Sequence, residues 1–139
     1  MIREFQDENR WLSNFAPVKI EWEGRVYYST EAAYQAAKSN NEDWKEFCTK
    51  NKPGLIKKSS RFITLIPNWN DQNLGIMKDI LKIKFNKEPY KTLLINTGNE
   101  YIQEGNYWED KYWGVCLKTN QGENHLGKLI MDIRKEIVG

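Results

Sequence analysis

Residues 27–40 read YYSTEAAYQAAKSN. Ser29 or Thr30 can offer a side-chain oxygen to the first free amides of a helix. Glu31 then falls in the first turn, where an anion suits the helix dipole. Alanines at 32, 33, 36 and 37 let neighbouring elements come close, so this helix is expected deep in the fold. Glu31, Gln35 and Lys38 follow at steps of four and three and therefore share one face. They form either a solvated ladder or the wall of a cleft, and spacing taken alone favours the ladder. On a packed helix, a carboxylate, an amide and an amine must be paired or wet.

Upstream of this helix, Val18, Ile20 and Trp22 alternate with polar residues, and Glu23-Gly24 offers a turn before VYY, so a short hairpin is expected to feed the helix. Downstream, EDWKEFCTK (42–50) reads as a helix that stops before Pro53-Gly54, with a short one over 54–60. Leu74, Met77, Ile80, Leu81 and Phe85 recur at helical spacing over 73–85. Pro89 opens a further short helix, PYKTLLINT, that Gly98 ends. The Gly- and Asn-rich stretch 98–122 reads as loops with room for one short strand. Asn124 then caps a last helix with a stripe of Leu126, Leu129, Ile130, Ile133 and Ile137. The fold class expected is mainly α (α+β), a single compact helical domain over 1–139 with a short N-terminal β hairpin.

At 139 residues, with 40% hydrophobic and 13% aromatic residues including six Trp, the chain can bury one core without disulfides or metals. The formal net charge of +2, from 21 basic and 19 acidic residues, is too balanced for a protein that lives by counterion release along a duplex. Two basic clusters, Lys50, Lys52, Lys57, Lys58 and Arg61, then Lys78, Lys82, Lys84, Lys87 and Lys91, read first as solvated faces. Their sharper reading is phosphate contact. Cys48, Cys116 and the one histidine, His125, show no metal-ligand spacing, and no metal is expected. With no CxxC pair, no apolar leader and no run of membrane-spanning length, free thiols and a cytoplasmic protein without membrane contact are expected.

A second informative stretch is YWEDKYWGVC, residues 107–116. Trp108 and Trp113 bracket Glu109 and Asp110, and Gly114 follows. Rings beside a carboxylate suit a flat polar ligand, stacking on a heterocycle while the acid takes a ribose hydroxyl or water. Alternatively one Trp anchors a long loop and the acids face solvent. Asn14 in RWLSNF, Trp69 in PNWND and Asn124 in GENHLG each sit beside turn signals, where a cap or a packing anchor is the plain reading.

Taken in order, RWLSNF (10–15), EGRVYYSTEAAYQAAKS (23–39), NWNDQNLGIMKDILKIKF (68–85), YWEDKYWGVC (107–116) and GENHLGKLIMDIR (122–134) resemble the NADAR family, also called YbiA-like. The combination of S-N-F, S/T-E-x-x-Y/F-Q-A-x-K, D-x-Y-W-G and G-x-N-x-L-G carries the resemblance over nearly the whole chain. It implies a small helical enzyme that hydrolyses N-glycosidic bonds to ribose, with no cofactor. Two substrate classes are implied: ADP-ribose on guanine bases of DNA or RNA, and the phosphoribosyl-pyrimidine intermediates of riboflavin synthesis. A cognate ADP-ribosyltransferase toxin is a partner that the first class allows. The family's motif residues fall on Glu31, Lys38 and Asp110, taken as catalytic. Asn14, Gln35, Arg61, Trp69, Trp108, Trp113, Gly114 and Asn124 are taken as substrate-binding. One departure is RFITLIPNW, where the family often carries arginines; Arg61 stands in for one, while the nearer position is Asn68. A nucleotide-binding module without turnover is the rival from another class.

Overall fold

The computed structural model describes residues 1–139. In chain order it contains β1 (Ile2–Glu4), β2 (Pro17–Trp22), β3 (Arg25–Ser29), α1 (Thr30–Ala37), α2 (Glu42–Lys50), α3 (Pro53–Ser59), α4 (Trp69–Phe85), α5 (Tyr90–Asn96), β4 (Ile102–Asn106), β5 (Val115–Cys116) and α6 (His125–Val138). Short 3-10 turns cover Asp7–Leu12 and Ser60–Phe62. These elements form the expected mainly helical α+β fold. They group into two compact units, Asn14–Lys84 and the pair of segments Met1–Ser13 and Phe85–Gly139.

In the unit Asn14–Lys84, β2 and β3 form the antiparallel hairpin, with Trp22 opposite Arg25. The two-residue turn between them puts both Glu23 (φ 48°) and Gly24 (φ 84°) in the left-handed region, the geometry whose twist matches a hairpin. β3 runs into α1 without a linker. The Ser29 hydroxyl accepts the amide of Ala32 at 3.0 Å, which caps the helix. Seven consecutive residues of α1, Thr30 to Ala36, are buried, so the alanines do bring neighbours close on every side. Asn41 caps α2 through its Oδ1, and the Trp44 indole N–H donates 2.8 Å to the carbonyl of Gln35, tying α2 to α1.

α4 starts at Trp69, four residues ahead of the apolar stripe. Asn68 enters it in the left-handed conformation (φ 59°) and accepts the amide of Asp71. Its first turn is held by the Trp69 ring, which packs on Tyr34 of α1 at 5.2 Å. Lys84 corrects the reading of the second basic cluster as a solvated face, since it is fully buried. The reason is spacing: it follows Met77, Ile80 and Leu81 by seven, four and three residues, and so lies on the buried face of α4.

In the other unit, β1 pairs parallel with β4 and β4 parallel with β5, in the order β1-β4-β5. This sheet was not legible in the charged MIREF or in a two-residue strand. Trp11 and Tyr90 each meet the Phe85 ring edge-on. Asn124 stands at the N-cap of α6 but does not cap it: its backbone is left-handed (φ 54°) and its side chain makes no cap bond. Instead that amide accepts from Glu104 N and donates to the Ile102 carbonyl, stitching the helix start to β4. The first α6 amides go to carbonyls of the preceding loop, His125 to Tyr112 and Leu126 to Trp113.

Burial pushes the Lys84 ammonium from its ordinary 10.5 down to about 7. A lysine whose folded value lies below its unfolded one binds fewer protons when folded. Stability therefore rises as pH climbs from about 7 toward 10.5 and is flat in this respect below. Urea denaturation across that range is expected to show this rise, and Lys84→Met is expected to flatten it.

Candidate active site

The face of α1 that carries Glu31 decides between ladder and cleft. Glu31 is only 7% exposed and Gln35 only 4%, so the stripe is not solvated. Gln35 Nε2 donates to Glu31 Oε2 at 2.6 Å, fixing the carboxylate from within its own helix. The Glu31 amide donates to the carbonyl of Asn14 at 3.0 Å, so the S-N-F segment lies against the start of α1. Three acceptors of this region, Asn14 Oδ1, Thr30 Oγ1 and Gln35 Oε1, are buried with no hydrogen-bond partner. Buried polar atoms are almost always paired, and an unpaired one costs about 1–3 kcal/mol. Gln35 Oε1 belongs to the same amide that holds Glu31, and Thr30 precedes Glu31 in the chain.

Lys38 closes α1, half-buried, with its Nζ 5.3 Å from the centre of the Tyr34 ring. Burial lowers its pKa below 10.5; Glu31 opposes the shift and Lys57 adds to it. Burial is the largest of these effects, so the net shift is downward. Cys48 is excluded as a nucleophile by the same environment. Its thiol is pushed up to about 12, first by burial and then by the charge of Glu31.

The D-x-Y-W-G segment, in the other unit, is built around Asp110. One oxygen, Oδ1, accepts the amides of Tyr112 and Trp113 at 3.1 and 2.9 Å, so half of the carboxylate shapes the loop. Asn106, buried at the end of β4, clamps the loop from below by donating to the Asp110 carbonyl and accepting the Asp110 amide. Gly114 is required sterically, since a Cβ there would collide with the Glu104 carbonyl and the Asn106 amide. The Asn124 amide N–H donates to the Gly114 carbonyl at 3.2 Å, joining the G-x-N motif to this loop.

Within the first unit the structure thus gathers Asn14, Glu31, Gln35 and Lys38. Trp69 joins them only through Tyr34 and is buried as a packing residue. Arg61 stands apart, exposed, with its guanidinium over the neighbouring Phe62 ring. Within the second unit Asp110, Trp113, Gly114 and Asn124 come together, with Trp108 exposed and Trp113 edge-on to Tyr112. Sequence reasoning missed Thr30 and Tyr34, which the T-E-A-A-Y spacing could have flagged, and Asn106, which no local pattern marks. No group of three or more His, Cys, Asp or Glu side chains is gathered to hold a metal ion. No helix is long and apolar enough to cross a membrane.

The NADAR domain matches residues 2–138, and the chain belongs to that family. It is 27% identical over 130 residues to N-glycosidase YbiA of Shigella boydii, covering 91% of this chain and 80% of that one. A riboflavin biosynthesis protein of Vibrio vulnificus is 28% identical over 94% of this chain and 36% of its own length. The NMR structure of the E. coli protein YbiA superposes with a TM-score of 0.86 at 26% identity, over 99% of this chain and 83% of that one.

Because Gly114 has no room for a side chain, Gly114→Ala is expected to cost about 1–3 kcal/mol of stability, the usual range for forced overpacking. Thermal denaturation is the measurement, and a melting temperature equal to wild type would mean that the loop yields freely.

Proposed function

We propose that this protein hydrolyses the N-glycosidic bond between a ribose and a base, and that it removes ADP-ribose from ADP-ribosylated guanine in nucleic acid. The observation that carries the reading is Glu31, buried and held through one oxygen by Gln35, whose own Oε1 is buried without a partner. Breaking a ribosyl C–N bond builds positive charge at C1′ and negative charge on the departing base. A fixed carboxylate near C1′ favours the first and takes a proton from the attacking water. The water oxygen bonds to C1′ as the C–N bond breaks, and the base nitrogen leaves protonated. Asn14, Thr30 and Gln35 present oxygens suited to ribose hydroxyls.

Lys38 takes one of two roles in this reading. As a cation it contacts phosphate or the leaving group. As a free amine it attacks C1′ of the opened sugar, the base departs with a proton from the amine, and water hydrolyses the resulting Schiff base. Contact with phosphate or the leaving group ranks first; burial lowers the Lys38 pKa in the direction the second role needs, and Glu31 opposes that shift. The exposed basic run Lys50, Lys52, Lys57, Lys58 and Arg61, in the same unit as Glu31, supports a phosphate-rich substrate. A second reading, cleavage of phosphoribosyl-pyrimidine intermediates, is supported by the relatives named as riboflavin biosynthesis proteins.

Incubation with both substrates and mass analysis of the products separates the two readings, and a stable complex without product would make the protein a binding module. Glu31→Gln keeps the shape and the hydrogen-bonding span of the side chain. It is expected to lower turnover by about 10²–10⁴-fold with an unchanged melting temperature; full activity would remove Glu31 from the reaction. Lys38→Arg keeps the charge but not the amine nucleophile. Borohydride added during turnover is expected to trap a sugar adduct on wild type and none on Lys38→Arg, and normal turnover by that variant would end the Schiff-base route.

A further inference from the structure

Outside the Glu31 cluster, the unit Asn14–Lys84 holds a cleft of about 310 Å³, at the small end of ligand pockets. Two aromatic rings, Phe15 and Tyr28, contribute to its walls, and Tyr28 is 62% exposed despite its place in β3. Lys50 and Lys52 stand in its lining, and Lys57 places its ammonium 5.8 Å from the centre of the Phe15 ring. No acidic residue lines it. Lys50 is paired with Glu46, but both are exposed, and such a pair is worth only a few tenths of a kcal/mol. The cleft also reaches Ser29, the cap of α1, two residues before Glu31.

The cleft's polar side chains are largely committed to the chain itself. Ser29 Oγ accepts the Ala32 amide, Thr49 Oγ1 donates to the Glu46 carbonyl and Asn51 Nδ2 donates to the Phe47 carbonyl. What remains for a ligand is a ring to stack on and two ammonium groups, with little to read the edge of a base. Stacking platforms with a cationic rim suit nucleotides of any sequence in a single strand, because every base has a π-face and every link a phosphate.

We propose that this cleft binds a nucleotide of a single-stranded nucleic acid, adjoining the nucleotide whose glycosidic bond is broken at Glu31. The inference rests on the N-glycosidase reading for that second clause and adds where a neighbouring nucleotide of that nucleic acid is held.

The test is fluorescence anisotropy with a short, unmodified, fluorescein-labelled single-stranded DNA over a salt series. Wild type is expected to bind, and Lys50→Gln/Lys52→Gln to lower the slope of log K against log salt by roughly 1.4, at ~0.7 per phosphate contact on a single strand. Tyr28→Ala is expected to weaken binding roughly 5- to 150-fold, from the stacking of one base, and Tyr28→Phe to restore it. Tyr28→Ala lies at the surface and leaves hydrolysis of ADP-ribosylated guanosine, as a mononucleoside, unchanged. No binding by wild type, or unaltered affinity and slope in the variants, would overturn the cleft. Absence of hydrolysis of either substrate by wild type would instead overturn the catalytic reading, while the anisotropy still decides the cleft.

Discussion

The hydrogen bond from Gln35 Nε2 to Glu31 Oε2 makes sense only on a helix with almost no solvent around it. A buried carboxylate without partners would lose several kcal/mol of hydration. Here one oxygen is met by an amide one turn away in the same helix. Ala32, Ala33 and Ala36 make the burial feasible, because their small side chains let the hairpin, α2 and α3 close over α1. The indole of Trp44 then fixes the very residue that fixes Glu31, by bonding the Gln35 carbonyl. Catalytic geometry and packing are thus one problem in this unit, solved by the same eight-residue helix.

The acid loop of the second unit is solved differently. There is no regular element between β4 and β5, so the loop is defined by side-chain hydrogen bonds, Asp110 to its own backbone and Asn106 across the gap. The start of α6 completes the arrangement, since its first amides take the loop's carbonyls. Asn124 is released from ordinary capping by that substitution and spends its amide on β4. Each polar group in this region has two duties, one to the chain and one to its neighbour.

Much of this was legible in the sequence. α2 occupies the stretch read as helical, the hairpin turns at Glu23-Gly24, and Leu126, Ile130 and Ile133 of the expected α6 stripe are buried, with Gly127 and Arg134 buried beside them. Periodicity and caps are local signals and survive folding. The parallel sheet was illegible because β1 pairs with a strand far along the chain, Ile2 opposite Ile102, and β5 is only the two residues Val115–Cys116. Lys84 was misread because its identity outweighed its position on α4. For the site, spacing could align Glu31, Gln35 and Lys38 on one face but could not say what covers that face. That depends on contacts with Asn14 and Trp44, which only the fold brings near. The family motif supplied what periodicity could not.

One feature of the hairpin reaches further than its size. β3 ends at Ser29 and α1 begins at Thr30, with no residue between to absorb an error. Sliding β3 by a single residue against β2 would advance the helix by one position, and a helix turns by about 100° per residue. The carboxylate would then swing to another side of the axis altogether. The two-residue tip at Glu23-Gly24 therefore behaves as a length gauge for the chemistry, setting the angular phase of an acid from the far end of a ribbon. Lineages that add or delete residues at this tip would have to rebuild the helix they were aiming.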